Sequence, residues 1–187
     1  MTSAATVEGG ERLRLFTALR LPDDALDALA DWQARELPEQ RRVPRETLHV
    51  TLAFLGSVPR ERLQAIVGAV RAAASRAVRP SLTVAGYRET RSVGMLTFAD
   101  AGGHAQAFAD DLHGRLEALS VYRRESRPWL PHLTVLRFRE RRPRLRPPLP
   151  DLGEVVPSEA AVYLSVLRPS GAQYTLLDSA AVGRKEH

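Results

Sequence analysis

Apolar positions along the chain switch between a period of about two residues and one of about 3.6, the signature of strands alternating with helices. Arg12 to Leu19 (RLRLFTAL) is a short apolar-rich run that predicts a strand. Pro22-Asp23-Asp24 then opens a helix whose Ala25, Leu26, Leu29 and Trp32 recur at helical spacing and which Pro38 ends. Glu46 to Leu55 (ETLHVTLAFL) alternates as a strand, stopped by Gly56 and Pro59. Leu63, Ile66, Val67 and Val70 line one face of a helix expected from Pro59 to Val78. Ser81 to Arg88 and Val93 to Ala99 read as strands, and Gly102-Gly103 precedes a helix with Phe108, Leu112, Leu116 and Leu119 inward. Pro131 to Phe138 is another strong strand, and Ala160 to Leu167 and Tyr174 to Ala181 flank a turn at Pro169-Ser170-Gly171. Between them, Arg139 to Pro150 (RERRPRLRPPLP) lacks apolar periodicity and reads as a loop of extended character, whose arginines either widen the footprint on an anionic partner or, the reading slightly favoured, are simply solvated.

Two strands carry an imperfect repeat, Leu48-His49-Val50-Thr51-Leu52 and Pro131-His132-Leu133-Thr134-Val135. Because strand side chains alternate, His49 and Thr51 share one face, and so do His132 and Thr134; the intervening apolar residues take the other. Facing each other across a cleft, two such pairs suit in-line displacement at phosphorus, which wants a base on one flank and an acid on the other. Imidazole titrates near neutrality, so one ring can accept a proton while the other donates. The threonine hydroxyls can bond the non-bridging oxygens. Arg137 can add charge-assisted bonds to the same phosphate, but strict alternation turns it away from His132, so that role requires a bulge or the strand's end. Phe54 and Trp129 either stack on a base or pack in the core, with packing the commoner fate of such rings. The residues alone leave open which histidine is acid and which base.

Composition narrows the chemistry. The 187 residues contain no cysteine, which removes disulfides, thiolate metal sites and cysteine nucleophiles. The net charge of +5 comes almost wholly from arginine, Lys185 being the lone lysine, and favours an anionic partner such as nucleic acid. No G-x-G-x-x-G or P-loop points to dinucleotide or nucleoside triphosphate chemistry. A zinc site would need more ligands than the two motifs offer, so neither metal nor cofactor is expected. His104, His113 and His187 stand outside any repeated pattern and read as solvated. The first dozen residues do not resemble an export signal and arginine interrupts every apolar run, so a soluble cytoplasmic protein is expected.

These segments resemble the two-histidine phosphoesterase superfamily, and within it the bacterial and archaeal RNA 2',3'-cyclic phosphodiesterases, also called 2'-5' RNA ligases. The likeness runs in order through RLFTALRLP, ETLHVTLAFLG, RPWLPHLTVLR and VYLSVLRPSGAQYTLL. It implies a bilobal α/β (α+β) fold of two mainly antiparallel sheets with outer helices, one motif per lobe, flanking a basic central cleft. Residues 12–182 would form that domain, with flexible ends at 1–11 and 183–187. By the same resemblance His49 donates a proton to the leaving 3' oxygen, His132 activates water, and Thr51, Thr134 and Arg137 hold the phosphate. The implied partner is RNA with a 2',3'-cyclic phosphate end, tRNA fragments being one candidate, acted on by a monomer and yielding a 2'-phosphomonoester. The reverse reaction with a 5'-hydroxyl would make 2'-5' linkages. Two rival readings are a non-catalytic RNA-binding module and a relative acting on small cyclic nucleotides. In the strand Gly94-Met95-Leu96-Thr97 the tryptophan of many relatives is missing, which removes the expected base-stacking role there.

Overall fold

The computed structural model describes residues 11–140 and 143–183. In chain order the elements are β1 (Arg12–Arg20), α1 (Asp23–Glu36), β2 (Val50–Pro59), α2 (Leu63–Arg76), β3 (Thr83–Glu89), β4 (Val93–Ala99), α3 (His104–Ala118), β5 (His132–Arg137), β6 (Glu159–Arg168) and β7 (Gly171–Ala181). Three short 3-10 turns sit at Glu39–Arg41, Arg45–Thr47 and Arg60–Arg62.

All seven strands pair antiparallel in the order β3-β4-β5-β2-β1-β6-β7. The two expected sheets are present as halves, β3-β4-β5 and β2-β1-β6-β7, joined by a single residue pair, Val50↔Leu133. That pair is the midpoint of each His-x-Thr motif.

The helices cover the apolar face. α1 buries Ala25, Leu29, Trp32 and Gln33; α2 buries Ile66, Ala69, Val70, Ala73 and Ala74; α3 buries Phe108, Leu112 and Leu116. Against them the sheet presents Leu15, Leu19, Val50, Leu52, Leu96, Leu133 and Val162, each at most 2% exposed. This burial of large apolar side chains is the main stabilising contribution.

Two boundaries near the first motif differ from the sequence reading. Pro44 starts a turn, closed by Thr47 N–H and Thr47 Oγ1 on its carbonyl, so the second strand begins at Val50 rather than Glu46. Gly56 does not stop that strand: its φ of +66°, which glycine adopts without cost, builds a bulge opposite Leu15 and Phe16, and pairing continues to Pro59. The Arg/Pro-rich stretch has no regular structure in its described part, yet Trp32 Nε1 donates to Pro148 O at 2.8 Å and Leu145 N to Glu89 Oε1 at 3.1 Å, while Arg144 and Arg146 are exposed. Of the chain ends, Glu11 accepts from Arg60 N and Gly183 N donates to Ala74 O; residues 1–10 and 184–187 lie outside the described ones. No described helix is long and apolar enough to cross a membrane.

Candidate active site

The two histidines are held in the same way. His49 Nδ1 lies 2.6 Å from Thr47 O and His132 Nδ1 lies 2.8 Å from Leu130 O, two residues upstream in each case. A carbonyl only accepts, so each Nδ1 carries its proton, and in the neutral ring each Nε2 keeps its lone pair. Thr51 Oγ1 stands 3.1 Å from His49 Nε2 and donates to it in that state.

Register brings the motifs together. With Val50 opposite Leu133 in an antiparallel pair, the neighbouring positions place Thr51 across from His132 and His49 across from Thr134. Val50 and Leu133 are fully buried, so these four polar side chains project from the other, uncovered face. His49 itself precedes the strand by one residue, because the turn at Arg45–Thr47 delays it.

His49 sits in an aromatic recess that sequence reasoning did not anticipate. Its ring centroid is 4.9 Å from Phe16, 5.7 Å from Tyr174 and 6.2 Å from Tyr163, and Phe16 stacks on Tyr163 at 5.1 Å. Burial among these rings, reinforced by the positive charges of Arg137 and His132 and partly opposed by the bond to Thr47, lowers the pKa of His49 to about 4. At neutral pH this imidazole is therefore uncharged in the free protein. Phe16 shares a face with Phe54 and Tyr163 through the pairing of β1 with β2 and β6, which no local pattern announces.

Arg137 reaches the site through an irregularity. On β5 Thr134 pairs with Met95 and Leu136 with Gly94, so Val135 is an extra residue with no partner on β4. The bulge restarts the alternation one residue late: Leu133, Val135 and Leu136 are all buried, and Arg137 returns to the face of His132 and Thr134. Its Nη2 lies 3.4 Å from the Tyr174 hydroxyl, beside the His49 recess. None of the ion pairs among the described residues involves Arg137. β2 repeats the device. Thr51 pairs with Ala18 and Ala53 with Thr17, which leaves Leu52 as the extra residue. Leu52 and Ala53 are both buried, and Phe54 emerges on the cleft face, 49% exposed, with the Arg14 guanidinium 4.6 Å from its ring centroid. Core packing, the commoner fate, is thus not that of Phe54; Trp129 is half-buried against the core and donates its indole N–H to Thr51 O at 3.0 Å.

Of the remaining histidines, His104 is exposed as expected and His187 lies outside the described residues. His113 is a correction. It is only 3% exposed, because its position on α3 faces β2, where Nε2 donates to Leu52 O at 2.8 Å. Among the described residues no group of three or more His, Cys, Asp or Glu side chains could hold a metal ion.

Comparison with known proteins gives concordant matches. Residues 19–91 match the family model described as LigT like Phosphoesterase. The chain is 32% identical to an RNA 2',3'-cyclic phosphodiesterase of Thermus thermophilus, covering 94% of this chain and 92% of that one. It is 27% identical to the Escherichia coli RNA 2',3'-cyclic phosphodiesterase over 89% of this chain and 95% of the other. In structure it is similar to E. coli LigT complexed with 3'-AMP, with a TM-score of 0.77, 25% identity and coverage of 93% and 100%. A crystal structure of a T. thermophilus protein matches with a TM-score of 0.77, 29% identity and coverage of 91% and 98%.

Proposed function

The chain belongs to the LigT-like phosphoesterases, and from that premise we propose that it opens 2',3'-cyclic phosphates at RNA ends, with His49 and His132 as its proton-transferring pair. The carrying observation is that both rings commit Nδ1–H to the backbone and share one open face with two threonines and an arginine. In the reaction His132 Nε2 takes a proton from water as its oxygen attacks phosphorus. The P–O3' bond breaks, and His49 Nε2–H protonates the departing 3' oxygen, leaving a 2'-phosphomonoester and a 3'-hydroxyl. Thr51, Thr134 and Arg137 hold the non-bridging oxygens, where bonds to charged groups are strongest.

For His49 to donate, it must gain a proton that the free protein does not hold there. Burial, the largest cause of the lowered pKa, persists on loading, but negative charge of the phosphate beside Nε2 favours the imidazolium and counters Arg137 and His132. His49 thus becomes an acid on loading. A 5'-hydroxyl in place of water would be joined to the 2' phosphate by the same steps, which is the ligase direction. We assign the enzyme to the cytoplasm as a monomer acting on RNA ends, consistent with its arginine-rich charge and lack of cysteine.

The test is a short RNA ending in a 2',3'-cyclic phosphate, with products separated by chromatography. A 2'-phosphomonoester should form, and His49→Ala and His132→Ala should each lose about 10³-fold in kcat. Exclusive 3'-phosphate formation, or full activity in either variant, overturns the reading. A cyclic mononucleotide cleaved better than the oligomer would move the substrate to small cyclic phosphates.

A further inference from the structure

We infer that Gln33 and His113 are positioning residues of this site, whose side-chain N–H groups pin the two bulges that return Arg137 and Phe54 to the cleft face. The inference rests on that face being where substrate binds. Both bulges fall one residue after the motif threonine, at Leu52 and at Val135. A bulged residue leaves the ladder, so a buried carbonyl there needs another donor. Leu52 O finds one in a buried polar side chain of a helix behind the sheet, and Val135 O, which the Val43 amide already reaches, takes such a side chain as a second donor. His113 Nε2 on α3 donates to Leu52 O at 2.8 Å, and Gln33 Nε2 on α1 donates to Val135 O at 2.9 Å. Both side chains are 3% exposed.

The surroundings fit a fixing role. Gln33 Nε2 also lies 3.1 Å from Val43 O, while Val43 N donates to Val135 O at 2.9 Å, so one amide clamps β5 to the segment leading into the first motif. The His113 ring packs on Tyr122 at 4.8 Å, which sets the direction of Nε2. A polar residue facing a core is costly unless its bonds are needed. Here the need is phase. Were either strand to pair regularly, a one-residue slip would send Arg137 or Phe54 to the buried face and bring Leu136 or Ala53 into the cleft.

Gln33→Met keeps volume and removes the donor; His113→Leu removes it and His113→Gln retains one. The readouts are the affinity of adenosine 2'-phosphate by calorimetry and the kcat and KM of cyclic-ended RNA. Gln33→Met should raise Kd and KM about 10-fold with kcat within about 3-fold of the wild type, and should add less than about 2-fold in an Arg137→Ala background. His113→Leu should raise both about 5-fold and His113→Gln should stay within about 2-fold of wild type. Unchanged Kd and KM with lower kcat and Tm, or full additivity with Arg137→Ala, overturns the inference; if Gln33→Met does not fold, the His113 pair decides it. Calorimetry separates the two claims: the expected Kd pattern without turnover sinks the proposed reaction alone, and turnover without the Kd pattern sinks the positioning role alone.

Discussion

His49 lies against Phe16, Tyr163 and Tyr174 and shares its face with Phe54, whereas His132, built on the same motif, shares its face with Arg137. The backbone treats the two rings alike, tying each Nδ1 to a carbonyl and bulging each strand after the threonine. The difference is in the neighbours. One half of the cleft is aromatic and lowers the charge of its imidazole; the other carries a guanidinium that pairs with no carboxylate among the described residues. Burial among aromatic rings lowers the proton affinity of His49, the proposed acid of the pair.

The strongest way to break this comparison is to truncate the residue that each bulge delivers. Arg137→Ala should raise KM for cyclic-ended RNA about 100-fold, since a bond between charged groups contributes about 1.5–3 kcal/mol. It should do so whether or not the substrate carries a base. Phe54→Ala removes a ring that can stack on a nucleobase, worth about 1–3 kcal/mol, and should weaken binding about 10-fold for base-bearing substrates only. Equal losses for both variants on a cyclic phosphate lacking a base would show that the halves do not divide phosphate and base between them.

Much of this arrangement was legible in the chain. The His-Thr pairs, their shared face and the helix faces follow from periodicity, because large apolar side chains must be buried and strands alternate. The bulges were visible in principle: LHVTLAF and PHLTVLR each place two apolar residues after the threonine, Leu52-Ala53 and Val135-Leu136, where alternation expects one. Reading each doublet as a skipped beat puts Phe54 and Arg137 on the motif face. Not legible was what crosses from elsewhere in the chain. Tyr174 and Tyr163 join His49 only through the pairing of β1, β6 and β7, and His113 meets Leu52 only through helix packing. Those are contacts between residues far apart in sequence, for which no local pattern speaks.

A subtler test uses proton binding by the free protein. Unfolded, His49 takes up a proton as pH falls through about 6.5; folded, it does so only near 4. The unfolded state therefore binds more protons across that window, and stability contributed by the neutral buried ring is present at pH 7 and lost as pH falls toward 4. Between pH 7 and pH 4.5 this single group should cost about 2 kcal/mol, less whatever solvent reaches the ring. Urea unfolding at both pH values should show that loss in the wild type and a smaller one in His49→Gln. An identical slope in both would mean that the aromatic recess does not hold His49 neutral, and the contrast between the halves would lose its electrostatic basis.

The smallest effect concerns the residue that touches both halves. Tyr174 meets the His49 ring edge-on at an interplanar angle of 77°, and its hydroxyl lies 3.4 Å from Arg137 Nη2. That distance is long for a hydrogen bond, so the hydroxyl contributes under about 1 kcal/mol. Tyr174→Phe keeps the ring over His49 and removes only the link to Arg137. It should raise KM about 3-fold and leave the pH dependence of stability unchanged. Tyr174→Ala also opens the recess to water, so it should shrink the stability loss between pH 7 and pH 4.5 as well. Because the two substitutions separate the hydroxyl from the ring, they locate the coupling between the halves: a pH effect already present in Tyr174→Phe would place it in the hydroxyl, and one confined to Tyr174→Ala would place it in desolvation by the ring.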